Sequence, residues 1–173
     1  MTEHHVLAFL RIPYWLLIAL SSRALHFEMQ PYHHLIRIVH ILSMSAFFGG
    51  IGLLDLRLIG LRATVPLKAF AEHTLPWLYA TFGVALLSGI ALFFYDPVHV
   101  GSHAYFTLKL ILVLLGLVNA DLFHRSGYVA ALAAETRMPR SARVAGAVSL
   151  AIWTGVIVTA CLNTEPAPRV LLR

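Results

Sequence analysis

Ten histidines occur in a chain of 173 residues in which only 12% of positions carry a formal charge. A neutral imidazole offers one lone pair, so it can ligate haem iron, zinc or copper, or pass a proton. Ionisable side chains inside a membrane mark functional positions by default. His40 is the most telling of the ten. It stands about two helical turns into an apolar run, in or near hydrocarbon rather than in a loop. Met44 and Asp55 fall on roughly the same helical face. An imidazole held there is the usual kind of axial ligand for a b-type haem. The plainer alternative is a side chain that bonds a neighbouring helix and fixes its packing.

The other histidines sort by position. His26, His33, His34, His40, His99 and His103 group towards one side of the membrane. His73 and His124 fall at the ends of two apolar runs on the other side. His103, Leu110, Leu117 and His124 form a stripe that puts the two imidazoles roughly 31 Å apart, at opposite ends of one helix. Two haem sites follow as expectations, His40 with His103 on the outer side and His73 with His124 on the cytoplasmic side. His40 lies about 10 Å deeper than His103, which strains the first pairing. The second requires the two helices involved to pack side by side, as a short connection favours. His99 and His103, with Asp96 nearby, also suggest a surface metal site, against which stands an ordinary solvated loop.

Lys109 sits one to two turns inside an apolar run. It can snorkel to the interface, neutralise a haem propionate or hold a quinone carbonyl. Glu72 can orient His73 from behind. Asp55 and Arg57 are expected to pair with Asp121 or to cap helix ends. No Gly-x-Ser-x-Gly element, phosphate loop or paired-carboxylate site supports nucleophilic or acid–base catalysis.

These residues need helices to hold them. With 59% hydrophobic residues, the chain cannot cover a water-facing surface, and lipid must be its solvent. Four segments are long and apolar enough to cross about 30 Å of hydrocarbon: residues 33–60, 74–95, 104–124 and 142–162. Pro66 and Pro76 bracket the first connection, Asp96-Pro97 ends the second span and Pro139 precedes the fourth. Glycines 49, 50, 52, 83, 89, 146 and 155 would let helices approach closely. Residues 6–20 are short for a span and contain Arg11 and Pro13, which predicts an interfacial helix or, alternatively, a fifth span. The expected architecture is an all-α integral membrane four-helix bundle over residues 31–173, with that short hydrophobic helix in residues 1–30. The single cysteine, Cys161, excludes an internal disulfide and is expected to be a small buried thiol.

Basic residues give the orientation. Arg57, Arg62, Lys68, Arg125, Arg137, Arg140 and Arg143 fall on one side, against Arg23, Arg37, Arg169 and Arg173 on the other. Seven against four predicts a cytoplasmic location for the first group, with the C-terminus on the periplasmic side. The net charge of +5 is therefore a membrane-orientation signal, and no basic stripe points to nucleic acid.

Leu25-His26, His40-Ile41-Leu42, Gly49-Gly50 and the run Leu54-Asp55-Leu56-Arg57-Leu58-Ile59-Gly60-Leu61 resemble a family of bacterial membrane proteins without a settled activity. Thr81-Phe82-Gly83, Phe106-Thr107-Leu108-Lys109-Leu110 and Asn119-Ala120-Asp121-Leu122-Phe123-His124 follow the same pattern, so the resemblance covers about residues 25–125. Ile41 stands where the family usually has valine. Such proteins are loosely similar to membrane cytochromes b and copper-resistance membrane proteins. The resemblance implies a helix bundle with histidines near its ends, in a bacterial inner membrane.

Three functional classes follow. The first is a b-type cytochrome with one or two haem b groups, carrying electrons between the quinone pool and another membrane or periplasmic redox subunit. The second is a cofactor-free anchor subunit of a larger assembly, and a homo-oligomer is compatible with either. The third is a copper-handling protein using the outer histidines with Met29 and Met44, although the chain lacks a His-rich tract.

Overall fold

A computed structural model describes residues 10–61, 66–134 and 137–164, with the side chain of residue 164 left aside. His4, His5, Arg62, Arg169 and Arg173 lie outside these residues. Eight helices are present among the described residues. Two short ones come first, α1 (Tyr14–Leu20) and α2 (Arg23–Met29). The long helices α3 (His33–Ile59) and α4 (Leu67–Tyr95) follow, then short α5 (Pro97–Gly101). Long α6 (Ala104–Ser126), short α7 (Tyr128–Leu132) and long α8 (Arg140–Thr164) complete the chain. The protein is a multi-pass membrane protein: α3, α4, α6 and α8 are each long and apolar enough to cross a bilayer. In hydrocarbon the backbone can be satisfied only within the segment, so uninterrupted apolar runs become helices. Their outward faces carry Leu42, Leu53, Leu87, Leu114 and Leu122, all exposed. In water such a surface would aggregate, whereas in lipid it is the solvent-facing side.

The first span ends where expected, at Gly60, whose φ of 106° is the left-handed cap that glycine adopts freely. The second begins at Leu67, earlier than residue 74, and Pro76 lies inside it. A proline removes one i→i−4 hydrogen bond, here from the carbonyl of Glu72. Glu72 is exposed near the helix end, where water can satisfy that carbonyl. The actual stop is Pro66, at the N-cap.

Residues 6–20 do not form one helix. Pro13 holds an extended ψ of 132° at the N-cap of α1, and the seven helical residues that follow reach only about 10 Å, too short for a span. Residues 6–9 lie outside the described residues. Leu17 of α1 is fully buried against Gly101 of α5, so α1 folds onto the connection between the second and third spans. The second short helix, α2, has no counterpart among the expected elements. Ser22 starts it by accepting a hydrogen bond from the Leu25 N–H.

The order of packing differs from the order of the chain. α4 packs on α3, α3 on α8, and α8 on α6, while the second and third spans have no comparable seam. Small residues decide this. A Cβ built on Gly116 would lie 2.9 Å from the Trp153 ring, and one on Gly146 would lie 2.9 Å from the Asp55 carbonyl oxygen. Gly50 faces Leu78 and Gly155 faces Leu112 in the same manner. Gly49, Gly52 and Gly83, also expected to line contacts, face open space. At the centre, Trp153 meets Phe47 of α3 edge-on at 4.7 Å and Phe82 of α4 at 6.0 Å. Cys161 is exposed on α8 rather than buried.

Candidate intramembrane histidine site

His40 projects from α3 towards α4. Its Nδ1 lies 2.9 Å from the Ala85 carbonyl oxygen and 3.1 Å from Ser88 Oγ. A carbonyl oxygen only accepts, so Nδ1 carries the hydrogen and Nε2 keeps the lone pair. Ser88 directs its own hydroxyl to the Val84 carbonyl at 2.6 Å, which leaves its oxygen free to accept from the imidazole. Beside the ring, Gly89 offers bare backbone, and a Cβ there would stand 3.0 Å from the imidazole Cε1. A glycine at this point is what allows the ring to lie flat on the second span. The helix pairing and the ring tautomer are therefore set by the same contact.

Lys109, on α6, occupies a similar depth. His40 is about 10 Å from the start of its span and Lys109 about 8 Å from the start of its own. The Lys109 charge acts on His40 electrostatically. Its ammonium lies 5.1 Å from the centre of the Phe106 ring, and that ring stacks in parallel on Phe93 of α4 at 5.2 Å. Lys109 is half-buried over an aromatic face instead of extending freely to the interface. Imidazole and ammonium thus lie along the C-terminal half of the second span, beside a stacked pair of phenyl rings.

The remaining histidines are disposed differently from the two expected pairs. His103 is the N-cap residue of α6, and its ring contact is with His99 at 5.8 Å. It stays at the end of its helix, and the structure does not bring it to His40. Asp96, the third member of the expected surface metal site, caps α5 through the His99 N–H at 3.1 Å. Because α5 stops at Gly101, His99 and His103 do not share a helix.

His124 stacks on Tyr128 at 5.0 Å, and His73 is exposed without a side-chain hydrogen bond or ring contact to a described residue. Burial pushes the Tyr128 hydroxyl pKa up, with Tyr79 and Glu72 of α4 adding to the effect. Glu72 faces Lys68 at 3.9 Å instead of orienting His73.

At the C-terminal end of α4, Tyr95 is sandwiched between His26 at 4.5 Å and His33 at 4.8 Å. His26 also donates from Nδ1 to the Tyr95 carbonyl at 2.8 Å, which fastens α2 to the top of α4. The stack is legible only once the helices are assembled. Met44 packs against the apolar core. Asp55 is 2% exposed and faces Ser149 of α8, with its Oδ2 left without a hydrogen-bond partner among the described residues, while Asp121 pairs with Arg125 at 2.8 Å on its own helix. Asp121, expected as a partner for the Asp55 and Arg57 pair, is engaged by Arg125 on its own helix instead.

Among the described residues no group of three or more His, Cys, Asp or Glu could hold a metal ion. Among the described residues the His40 ring hydrogen-bonds to Ala85 and Ser88 and has no ring contact with another imidazole. No family model, curated protein or solved structure matches the chain.

Proposed function

We propose that this protein is a membrane redox component of the quinone pool, with the quinone headgroup held between His40 and Lys109. The observation that carries the reading is the tethered imidazole: Nδ1–H is committed to the Ala85 carbonyl, and Nε2 is left as a base within a lipid-spanning bundle. A quinol hydroxyl can donate to that nitrogen, and the Lys109 ammonium can donate to a quinone carbonyl. Phe93 and Phe106 offer aromatic faces beside the ring, and the loosely packed seam between the second and third spans gives an isoprenoid tail a way to lipid. Quinol oxidation releases two electrons and two protons. The two electrons would pass to a metal redox centre in another membrane or periplasmic subunit, Nε2 would receive the first proton, and the second would pass to water at the membrane face. A single b-type haem with His40 as its protein ligand is the second reading, favoured by the same free Nε2.

Purified protein titrated with a short-chain ubiquinone, followed by tryptophan fluorescence, tests both readings beside a dithionite-reduced absorption spectrum. The expected result is saturable binding that weakens at least about tenfold in His40→Ala and in Lys109→Met, and not in His103→Ala. A reduced-haem band lost in His40→Ala would transfer the site to the second reading. Neither binding nor a haem band would leave the cofactor-free anchor.

The orientation proposed with this reading places the protein in a bacterial inner membrane, with the Arg57 and Lys68 end in the cytoplasm and the C-terminus in the periplasm. In a Cys161→Ser background, cysteines at Ala69 and Ser102 are expected to react with impermeant maleimide from opposite sides, Ser102 from outside. Reaction of both from one side would reverse the grouping of the histidines.

A further inference from the structure

At the opposite end of the bundle from His40, α8 begins with a conflict. Arg137, Arg140 and Arg143 cluster around its N-terminus, and its first turn holds no acidic residue. The N-terminal end of a helix carries the positive pole of the backbone dipole, so cations there are disfavoured and an anion is favoured. The three arginines line a surface cleft of ≈ 630 Å³ together with Ile59, Met138, Val144 and Ala147. That volume falls in the range of about 300–1,000 Å³ typical of small-ligand sites.

The cleft runs along the first turns of α8. Arg140, Arg143, Val144 and Ala147 recur at the spacing of one helical face. Arg137 and Arg140 line the start of the cleft with Met138, Arg143 and Val144 follow side by side about one turn further along α8, and Ala147 lies one turn beyond them, with Ile59 of α3 also in the lining. Among the described residues no acidic side chain lines the cleft. A soluble anion would use only the first half of such a cleft. A phospholipid uses both, with its phosphate at the arginines and an acyl chain along Val144 and Ala147.

We infer that this cleft binds the headgroup phosphate of an anionic phospholipid at the membrane face carrying Arg57, Lys68 and Arg125. Guanidinium suits this role because its planar set of donors matches phosphate oxygens in pairs, which a lysine does not do. The bound anion also relieves the repulsion between the three arginines and the start of α8, so lipid should help to fix the angle of the fourth span.

Native mass spectrometry of the detergent-purified full chain, titrated with phosphatidylglycerol or with phosphatidylcholine of the same acyl chains, tests the inference. Glycerol 3-phosphate is added as a soluble competitor. The expected result is selective retention of phosphatidylglycerol, weakened about tenfold in Arg140→Gln/Arg143→Gln. Lys68→Gln/Arg125→Gln removes the same charge from the same membrane face but outside the cleft, and should retain lipid like the unaltered protein. Equal weakening in both doubles would overturn the site in favour of general surface charge, as would unchanged retention in the first. Displacement of the lipid by glycerol 3-phosphate at equal concentration would show a phosphate site without a lipid chain, and would also overturn it. Far-UV circular dichroism of each double variant in the same detergent must match the unaltered protein, so that lost retention reflects the cleft and not the fold.

Discussion

Replacing Trp153 with alanine is expected to lower the stability of the bundle by roughly 3–5 kcal/mol, the range for removing a large aromatic side chain from a core. The indole stands on α8, is 5% exposed, and meets Phe47 of α3 and Phe82 of α4 edge to face. Gly116 of α6 presses against its outer carbons, so a single side chain touches all four long helices. Without a hydrophobic driving force between helices in lipid, association rests on close packing of this kind. Aromatic pairs at these distances and tilts add about 0.5–1.5 kcal/mol beyond area, so the phenyl ring of Trp153→Phe should recover part of the loss. Unfolding by added dodecyl sulfate in mixed micelles, followed by circular dichroism, would measure it. An unfolding curve for Trp153→Ala that coincides with that of the unaltered protein would mean the four helices share no common centre.

How far the sequence can be read follows from what each feature depends on. The spans depend on composition and on the rule that backbone in hydrocarbon must bond to itself, and three of the four agree with the structure to within about two residues at their ends. The start of the second span is the exception, because Pro76 has the look of a break. It is tolerated one turn past Glu72, where water reaches the orphaned carbonyl. His40 and Lys109 are legible as candidates because a polar group at that depth is costly and persists only where function or packing requires it.

Their partners are not legible. Pairing His73 with His124 assumes that neighbours in sequence are neighbours in space. The residues between Asp96 and His103 instead form a helix of their own, and Gly116 and Gly155 carry the third span to the fourth. Gly116 is the decisive small residue, and it differs from the other glycines only in what lies opposite it. Whether an imidazole meets a carbonyl or a second imidazole depends on helix phase across the interface, which a single sequence does not contain. The Ala85 carbonyl that holds His40 belongs to the backbone, so no residue type announces it.

Gly146→Leu is expected to have the largest effect of any single substitution in this chain, with loss of the assembled bundle rather than a graded decrease. A Cβ at this position would lie 2.9 Å from the Asp55 carbonyl oxygen and 2.9 Å from Leu58 Cβ. Real Cβ atoms do not approach so closely, and neither neighbour is the mobile end of a side chain. Relief therefore requires α3 and α8 to move apart as rigid bodies. That separation also opens the interface at Asp55, a 2% exposed carboxyl that faces Ser149 of α8 and depends on close packing in a low-dielectric interior. The two costs add along one interface, which is also the only extensive seam joining the α3–α4 pair to the α6–α8 pair among the described residues. Gly146→Ala sets the threshold: it introduces the clashing atom without further bulk and should give a protein that folds but unfolds at lower dodecyl sulfate. Size-exclusion chromatography in mild detergent would separate the cases, with Gly146→Leu aggregated and Gly146→Ala monodisperse. A monodisperse Gly146→Leu protein with undiminished resistance to dodecyl sulfate would show that the first and fourth spans do not cross at this residue.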